Sequence, residues 1–179
     1  MGKIVLVTGG CRSGKSFFAQ QRAEAAGRNR LYIATAPVLD SEMEARIARH
    51  RQERAQMNWT TCEETLNLVC AFGAHTGFDV VLCDCLTLWV NNLLYQAEQK
   101  GTALFEDDMA QLAQEVVEAA RQYSWTVIFV TNEVGLGIVP ADALSRRFRD
   151  LAGRCNQVIA AAADEVYFVV SGIPMKVKG

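Results

Sequence analysis

The chain lacks both a large net charge and the long apolar segments that mark several protein classes. Its formal net charge is only −2 over 179 residues, so no global attraction draws it to nucleic acid or to a membrane surface. No apolar stretch approaches the length of a membrane span. The amino-terminal run MGKIVLVT is short and continues into a glycine-rich loop, which favours a strand over a signal peptide. We therefore expect a cytoplasmic protein that binds no nucleic acid and has no membrane span.

Histidine is scarce, and the cysteines lack the spacing of a zinc site. The chain has two histidines and six cysteines, and no two cysteines form a C-x-x-C pair. Cys83 and Cys85 flank Asp84 inside an apolar run, where a free cysteine packs as a small hydrophobic side chain. We expect free thiols, with neither a disulfide framework nor zinc.

What the chain does have is an alternation of apolar, β-branched runs with segments typical of helices. Strands are expected at 3–10, 30–35, 79–87, 125–135 and 165–177, the last bent near Gly172, while 59–64 is either a short strand or a loop. Helices are expected at 16–26, 42–55, 65–72, 88–97, 106–123 and 144–162. This order predicts one α/β domain over residues 1–179, with a mostly parallel sheet covered by helices on both faces. Ligands bind such sheets at the carboxyl ends of the strands.

A glycine-rich loop follows the first strand and opens the first helix. It reads GGCRSGKS and matches G-x-x-x-x-G-K-S, the pattern of a P-loop. Glycines let backbone N–H groups close around phosphate oxygens, and the helix amino terminus adds its positive dipole end. The spacing places the Lys15 ammonium on the β- and γ-phosphates of a nucleotide and the Ser16 hydroxyl on Mg²⁺. The predicted nucleotide-binding residues here are Gly9, Gly10, Cys11, Arg12, Ser13, Gly14, Lys15 and Ser16.

An acid at the end of another apolar strand is the expected second magnesium ligand. The run VVLCDCLT offers Asp84 in this position, which is that of a Walker B aspartate. The alternative is a turn aspartate that caps the next helix. The guanine-reading motif N-K-x-D of signalling GTPases is absent from the chain, which argues against a switch GTPase and leaves a small-molecule kinase open.

The segment EMEARIARHRQER surrounds His50 with Arg46, Arg49, Arg51 and Arg54. A basic helix face is usually a solvated surface. The spacing alone leaves open whether His50 has a function. A neutral imidazole among arginines is also a suitable nucleophile toward phosphorus, because the arginines hold its pKa down and stabilise the charge on an attacked phosphate.

Six segments together resemble the bifunctional adenosylcobinamide kinase / adenosylcobinamide-phosphate guanylyltransferase family of cobalamin biosynthesis: GGCRSGKS, LYIATA, EMEARIARHR, CDCLTLWVNNLL, TNEVGLGIVP and FRDLAGRCNQVIAAAADEVYFVVSGIP. The similarity covers nearly the whole chain in the family's order. It implies that ATP or GTP phosphorylates adenosylcobinamide, and that GMP is then transferred from GTP to adenosylcobinamide phosphate with release of pyrophosphate. It also implies a homotrimer with sites between subunits.

The resemblance also assigns residues. His50 falls on the histidine that carries GMP covalently in the family, and it joins Lys15 as a catalytic residue. Nucleotide contacts fall on the P-loop and on Ala34, Thr35, Ala36, Arg51, Gln52, Glu53, Arg54, Glu63 and Asp84, with Glu64 as an alternative to Glu63. Cys11 stands where relatives often have alanine, which predicts sensitivity to thiol reagents. Glu133 in TNEVG either binds a substrate or makes a strand-end hydrogen bond.

Two other functions remain open at this stage. One is a plain P-loop small-molecule kinase in which His50 takes no part. The other is a nucleotide-dependent binding protein without transfer chemistry.

Overall fold

The computed structural model describes residues 2–37 and 57–179 of the chain, and the predicted helix at 42–55 lies outside these ranges. The described strands are β1 (Lys3–Gly9), β2 (Arg30–Ala34), β3 (Trp59–Glu63), β4 (Val80–Asp84), β5 (Thr126–Val130), β6 (Glu165–Val170) and β7 (Ile173–Lys178). The described helices are α1 (Lys15–Ala26), α2 (Leu68–Ala74), α3 (Leu86–Gln99), α4 (Glu106–Arg121) and α5 (Ala143–Ala162).

The strands form one sheet in the order β3-β2-β4-β5-β1-β6-β7. All neighbouring pairs are parallel except β6 and β7, which form an antiparallel hairpin. The mostly parallel α/β sheet expected from the sequence is therefore confirmed. Within the described ranges, no helix combines the length and apolarity needed to cross a membrane.

The sheet buries both of its faces, as expected for parallel strands. Along β1, Ile4 and Leu6 join a large core cluster that contains residues of α2, α3, α4 and α5. Val5 and Val7 point to the other face, where a smaller cluster contains Ala19 and Ala23 of α1. Because successive side chains of a strand alternate between faces, a continuous apolar run supplies both clusters at once.

The strands predicted at 79–87 and 125–135 end earlier than expected, at Asp84 and Val130, and two further elements differ more clearly from the sequence-based expectation. The last predicted strand is two strands, because Ser171 and Gly172 both adopt positive φ angles, 51° and 83°, and reverse the chain there. A tight turn with two positive φ angles is the usual connection between the two antiparallel strands of a hairpin. The helix predicted from residue 65 begins at Leu68, because the side chain of Asn67 accepts a hydrogen bond from the Cys70 amide and caps the first turn.

Candidate active site

Four of the predicted site segments meet along the carboxyl edge of the sheet. In the strand register, Ala34 lies beside both Glu63 and Asp84. Asp84 in turn lies beside Val130, and Val130 lies beside Val7, two residues before the glycine-rich loop. The loop, Asp84 and the ends of β2 and β3 therefore border one edge, as predicted for a ligand site in a parallel sheet.

The glycine-rich loop has the backbone that its glycines permit. Gly14 has a φ of 91° and is the N-cap residue of α1, a conformation that residues with a Cβ rarely adopt. At Gly9 a Cβ would lie 2.5 Å from the carbonyl oxygen of Val169. The Lys15 ammonium donates a hydrogen bond to the Gly10 carbonyl at 3.1 Å, so it lies folded over the loop that is expected to hold phosphate.

The turn between β6 and β7 contacts the glycine-rich loop. The amide of Gly172 donates to the carbonyl oxygen of Ser13 at 2.8 Å. A Cβ on Gly14 would lie 3.1 Å from the Cα of Gly172, so the two backbones are in close contact. The sequence analysis did not find this contact, although the dipeptide Ser171–Gly172 was a visible turn signal.

Asp84 ends β4 with its carboxylate held in place. Its Oδ2 accepts a hydrogen bond from the Tyr32 hydroxyl at 3.2 Å. Ser16 lies in the first turn of α1 and is exposed. No group of three or more metal-ligating side chains occurs within the described residues. One carboxylate and one hydroxyl, completed by phosphate oxygens and water, is the kind of donor set that Mg²⁺ takes in nucleotide sites.

Thr35 has a structural function that the sequence analysis did not anticipate. Its hydroxyl donates to the Cys85 carbonyl at 2.8 Å and accepts from the Cys85 amide at 2.7 Å. Its own backbone amide donates to the carbonyl of Asp84. Its backbone carbonyl accepts from the side-chain Nδ2 of Asn92 at 2.9 Å. Every polar group of Thr35 thus has a partner within the protein. Ala34, Thr35 and Ala36 were all predicted nucleotide contacts. Of these three, Thr35 holds the backbone of Asp84 and Cys85 in place.

The structure separates the roles of the two adjacent glutamates. The Glu64 carboxylate accepts hydrogen bonds from the amides of Leu66 and Asn67, so it closes the turn before α2. Glu63 is exposed at the end of β3 and lies beside Ala34. Because Glu64 already serves this turn, Glu63 stays the predicted nucleotide contact of the pair.

Cys83 and Cys85, which flank Asp84, are thiols with raised pKa values. Burial raises the pKa of the Cys85 thiol, and the neighbouring Asp84 carboxylate raises this pKa further. Burial likewise raises the pKa of Cys83. Both are free thiols, and they remain protonated at neutral pH. Cys11 is also a free thiol, and it is exposed on the glycine-rich loop itself.

Glu133 makes the strand-end hydrogen bond that was one of its two predicted roles. Its Oε1 accepts from the amide of Gly135 at 2.8 Å, and its own amide donates to the carbonyl of Gly9 at 3.0 Å. The segment after β5 is thereby joined to the first glycine of the loop.

The predicted catalytic histidine and the arginine-rich segment fall outside the described ranges. These residues are His50, Arg51, Gln52, Glu53 and Arg54. The second histidine, His75, follows α2 and precedes β4, so it lies toward the amino edge of the sheet. It packs against Phe78, with 6.4 Å between the ring centroids. His75 is therefore on the opposite edge from the glycine-rich loop.

A cavity of about 560 Å³ lies next to the end of β2. Its lining includes Pro37, Leu66 and Tyr95, together with Asn92, whose amide holds the Thr35 carbonyl. Its volume is within the usual range for small-molecule sites, about 300–1,000 Å³.

Comparison with known proteins matches residues 5–177 to the family described as cobinamide kinase / cobinamide phosphate guanyltransferase. The bifunctional adenosylcobalamin biosynthesis protein CobU of Salmonella typhimurium is 44% identical over 182 residues, which covers 98% of this chain and 99% of that protein. The protein of the same description from Escherichia coli is 43% identical, with the same coverage. The bifunctional adenosylcobalamin biosynthesis protein CobP of Pseudomonas aeruginosa is 41% identical and covers 97% of this chain and 96% of its own length.

Solved structures with low sequence identity share the fold. The RadB recombinase superposes with a TM-score of 0.52 at 18% identity, over 93% of this chain and 74% of that chain. The ATP synthase subunit NeqB of Nanoarchaeum equitans gives a TM-score of 0.53 at 15% identity, over 93% of this chain and 45% of that chain. The predicted P-loop NTPase fold is thereby confirmed.

Proposed function

Because the chain belongs to the cobinamide kinase / cobinamide phosphate guanyltransferase family, we propose that it is an enzyme with both activities. It phosphorylates adenosylcobinamide with ATP or GTP and then transfers GMP from GTP to the product, giving adenosylcobinamide-GDP. The proposal rests on one structural observation: the glycine-rich loop and Asp84 lie on the same edge of the sheet. The chain that carries them matches the family over residues 5–177.

The kinase step uses the glycine-rich loop. Its backbone amides and the amino terminus of α1 bind the phosphates, while Lys15 exchanges its contact with the Gly10 carbonyl for the β- and γ-phosphates. The Ser16 hydroxyl and the Asp84 carboxylate would hold Mg²⁺, which would neutralise charge on these phosphates. The hydroxyl of the aminopropanol arm of adenosylcobinamide receives the phosphoryl group.

The guanylyl step uses His50 as a nucleophile. A neutral imidazole nitrogen forms a bond to the α-phosphorus of GTP as the bond to pyrophosphate breaks. A phosphate oxygen of adenosylcobinamide phosphate then attacks that phosphorus and releases His50. The position of the second histidine supports this assignment, because His75 lies toward the amino edge of the sheet, away from the glycine-rich loop.

A labelling experiment with the two histidine variants tests the proposal. The protein is incubated with GTP labelled at the α-phosphate and quenched in acid or in base. Wild type and His75→Asn should retain label that is stable in base and labile in acid, as expected for a phosphoramidate. His50→Asn should retain none and should lose guanylyl transfer, while it keeps at least about a tenth of the kinase rate, because that step needs only the P-loop, Mg²⁺ and a positioned hydroxyl.

The same experiment separates the alternatives. Phosphorylated cobinamide without protein-bound label in wild type would identify a plain small-molecule kinase. Neither product nor label would identify a nucleotide-dependent binding protein. Label that persists in His50→Asn and disappears in His75→Asn would move the nucleophile to His75. The homotrimer implied by the family resemblance and the cytoplasmic location expected from the sequence remain predictions.

A further inference from the structure

The cavity of about 560 Å³ beside the end of β2 has no role in the reaction described so far. Its described lining comes from three places. Pro37 follows β2, Thr65 and Leu66 follow β3, and the remaining residues belong to α3. Because the segments after β2 and β3 leave the carboxyl ends of their strands, the cavity lies on the same edge of the sheet as the glycine-rich loop.

Hydrogen bonds within the protein hold the walls of this cavity in place. The Asn92 Nδ2 donates to the carbonyl of Thr35 at 2.9 Å and to that of Thr65 at 3.0 Å, so α3 is joined to the segments after both strands. The Trp89 indole nitrogen donates to the carbonyl of Leu66 at 2.8 Å. A cavity that is already formed loses little free energy to ordering when a ligand enters.

The lining of the cavity is uncharged and rich in side-chain amides. Among the described residues that line it, none is acidic or basic, and half carry an amide: Asn91, Asn92, Gln96 and Gln99. Asn91 and Gln99 are exposed, so their amides are open to a ligand. A phosphate would find no side-chain cation here to balance its charge. An amide, with two donors and two acceptor lone pairs, is matched by another amide. The lining therefore favours neutral groups that bear amides.

The lining also includes an aromatic ring that the fold does not use. Tyr95 is 62% exposed and belongs to neither core cluster. It is four residues from Asn91 and four from Gln99, so the three side chains share one face of α3. An aromatic ring can cover a flat apolar surface. The cavity thus offers apolar contact and amide hydrogen bonds together.

We propose that this cavity is the corrin subsite, which takes one edge of the adenosylcobinamide ring with its amide side chains. The inference rests on the proposed function. A corrin is a broad, largely apolar macrocycle with acetamide and propionamide groups on its periphery, and it is larger than the cavity, so only an edge enters. The aminopropanol arm leaves the same periphery. Thr35 bonds to Asn92 through its carbonyl and to Asp84 through its amide, so the subsite adjoins the edge where phosphate is transferred.

Tyr95 provides the first test, because an exposed side chain can be removed without loss of the fold. Tyr95→Ala should raise the KM for adenosylcobinamide in the kinase reaction by about tenfold, the scale of one aromatic contact with a ligand. The kcat and the dissociation constant of MgATP should change by less than about twofold, since the contact is the same before and during transfer. Tyr95→Phe keeps the ring and should stay within about threefold of wild type.

Phe105→Ala is the matched control for Tyr95→Ala. Phe105 is also 62% exposed, but it precedes α4 and lies outside the described lining of the cavity. Its removal should leave the KM for adenosylcobinamide unchanged. Thermal melts show that each variant is folded.

Gln96→Leu tests the amide contacts separately. Leucine is close in size to glutamine but forms no hydrogen bond, so the KM for adenosylcobinamide should rise by about fivefold. Gln122→Leu is the control, because Gln122 is exposed at the carboxyl end of α4 and outside the described lining. It should match wild type.

Three results would overturn the inference. The first is a KM for adenosylcobinamide within twofold of wild type in Tyr95→Ala. The second is weaker binding of GTP or ATP by this variant with an unchanged KM, which would assign the cavity to a nucleotide base. The third is a different oligomeric state of the variant in sedimentation, which would assign this face of α3 to a second copy of the chain.

Binding without turnover separates failure of the inference from failure of the proposed function. Equilibrium dialysis against adenosylcobinamide, read from the visible absorbance of the corrin, needs no nucleotide. If wild type does not phosphorylate adenosylcobinamide, the kinase proposal fails, and the subsite is then judged by this dissociation constant. A constant about tenfold weaker in Tyr95→Ala supports the subsite. Equal constants in the two proteins, or no binding by wild type, remove it.

Discussion

Lys15 is the residue at which the phosphate contact can be tested most directly. Its ammonium has one hydrogen bond among the described residues, to the Gly10 carbonyl, and its side chain is not part of either core cluster. Lys15→Ala should therefore leave the melting temperature within about 2 °C of wild type, as for surface changes generally. Both activities should fall by at least about 100-fold in steady-state assays, because the charge on the β- and γ-phosphates loses its fixed cation.

Lys100→Ala provides the control for this measurement. Lys100 is an exposed lysine at the carboxyl end of α3, so its removal should leave both rates unchanged. Near-normal turnover of the Lys15 variant would contradict the assignment of Gly9–Ser16 as the phosphate site.

Asp84 can be tested through its dependence on magnesium. Asp84→Asn keeps an oxygen that can accept the hydrogen bond from Tyr32, so the fold should persist. The neutral amide binds a hard cation less well than a carboxylate does. The Mg²⁺ concentration for half-maximal kinase rate should therefore rise by about tenfold or more, measured by titration at saturating nucleotide.

The matched substitution for Asp84 is Asp107→Asn, at an exposed acid in the first turn of α4. Its magnesium titration should coincide with that of wild type. A titration of Asp84→Asn that also coincided with wild type would leave Asp84 as a turn residue only.

At the scale of secondary structure, the Thr35 hydroxyl joins the segments that follow β2 and β4 through two hydrogen bonds to Cys85. Thr35→Val preserves shape but leaves the amide and the carbonyl of Cys85 without the Thr35 hydroxyl. Because Thr35 is fully buried, water cannot replace these bonds. We expect the free energy of unfolding to fall by about 2–4 kcal/mol, from denaturant titration, as two buried groups lose their partner.

The change should also reach the active site, because Cys85 is bonded directly to Asp84. Thr35→Val should raise the magnesium requirement in the same direction as Asp84→Asn. Thr60→Val on the exposed side of β3 offers a comparison, and it should change neither stability by more than about 0.5 kcal/mol nor the magnesium requirement. A Thr35 variant as stable as wild type would show that the two strand ends do not depend on this hydroxyl.

At the scale of the whole molecule, the amino edge of the sheet carries a charge cluster that links stability to pH. The Glu165 carboxylate on β6 bonds to Lys3 of β1, to Tyr167 at 2.7 Å and to Arg22 of α1 at 2.7 Å. The hydrogen bonds from Lys3 and Tyr167 lower the pKa of Glu165 from its ordinary 4.5 to about 2. The folded protein therefore binds this proton less readily than the unfolded chain does.

The stability that Glu165 contributes is thus complete above about pH 4.5 and is lost as the pH falls toward 2. Glu165→Gln should unfold more easily than wild type at pH 7, by about 1–2 kcal/mol from urea titration. The difference should shrink as the pH is lowered to 3. Activity at pH 7 should be unchanged, because the cluster lies on the edge opposite the glycine-rich loop.

Glu118→Gln, an exposed glutamate on α4, is the reference for this series. Its stability relative to wild type should not depend on pH beyond about 0.5 kcal/mol. A Glu165→Gln difference that stayed constant from pH 7 to pH 3 would mean that the carboxylate titrates at its ordinary pKa in the folded protein.

Features that depend on neighbouring residues were predictable from the sequence. The glycine-rich loop is eight consecutive residues, and its conformation follows from Gly9 and Gly14 together with the strand before it and the helix after it. Apolar runs and helix-forming segments likewise predicted the alternation of strands and helices, because backbone preference and side-chain periodicity are local properties. Asp84 could be placed at a strand end for the same reason.

The tertiary structure alone decided which strand ends become neighbours. Thr35 and Cys85 are 50 residues apart, and Thr131 and Asn156 are 25 apart, yet their hydrogen bonds hold the site. These partnerships depend on the order of strands in the sheet, which no local pattern encodes. The same order placed the segment after β5 between the glycine-rich loop and the end of β4, and the hairpin of β6 and β7 brought the Gly172 turn against Gly14. Sequence therefore determined which residues could carry the chemistry, and long-range strand pairing determined which of them meet, because a hydrogen bond forms only where folding brings donor and acceptor within reach.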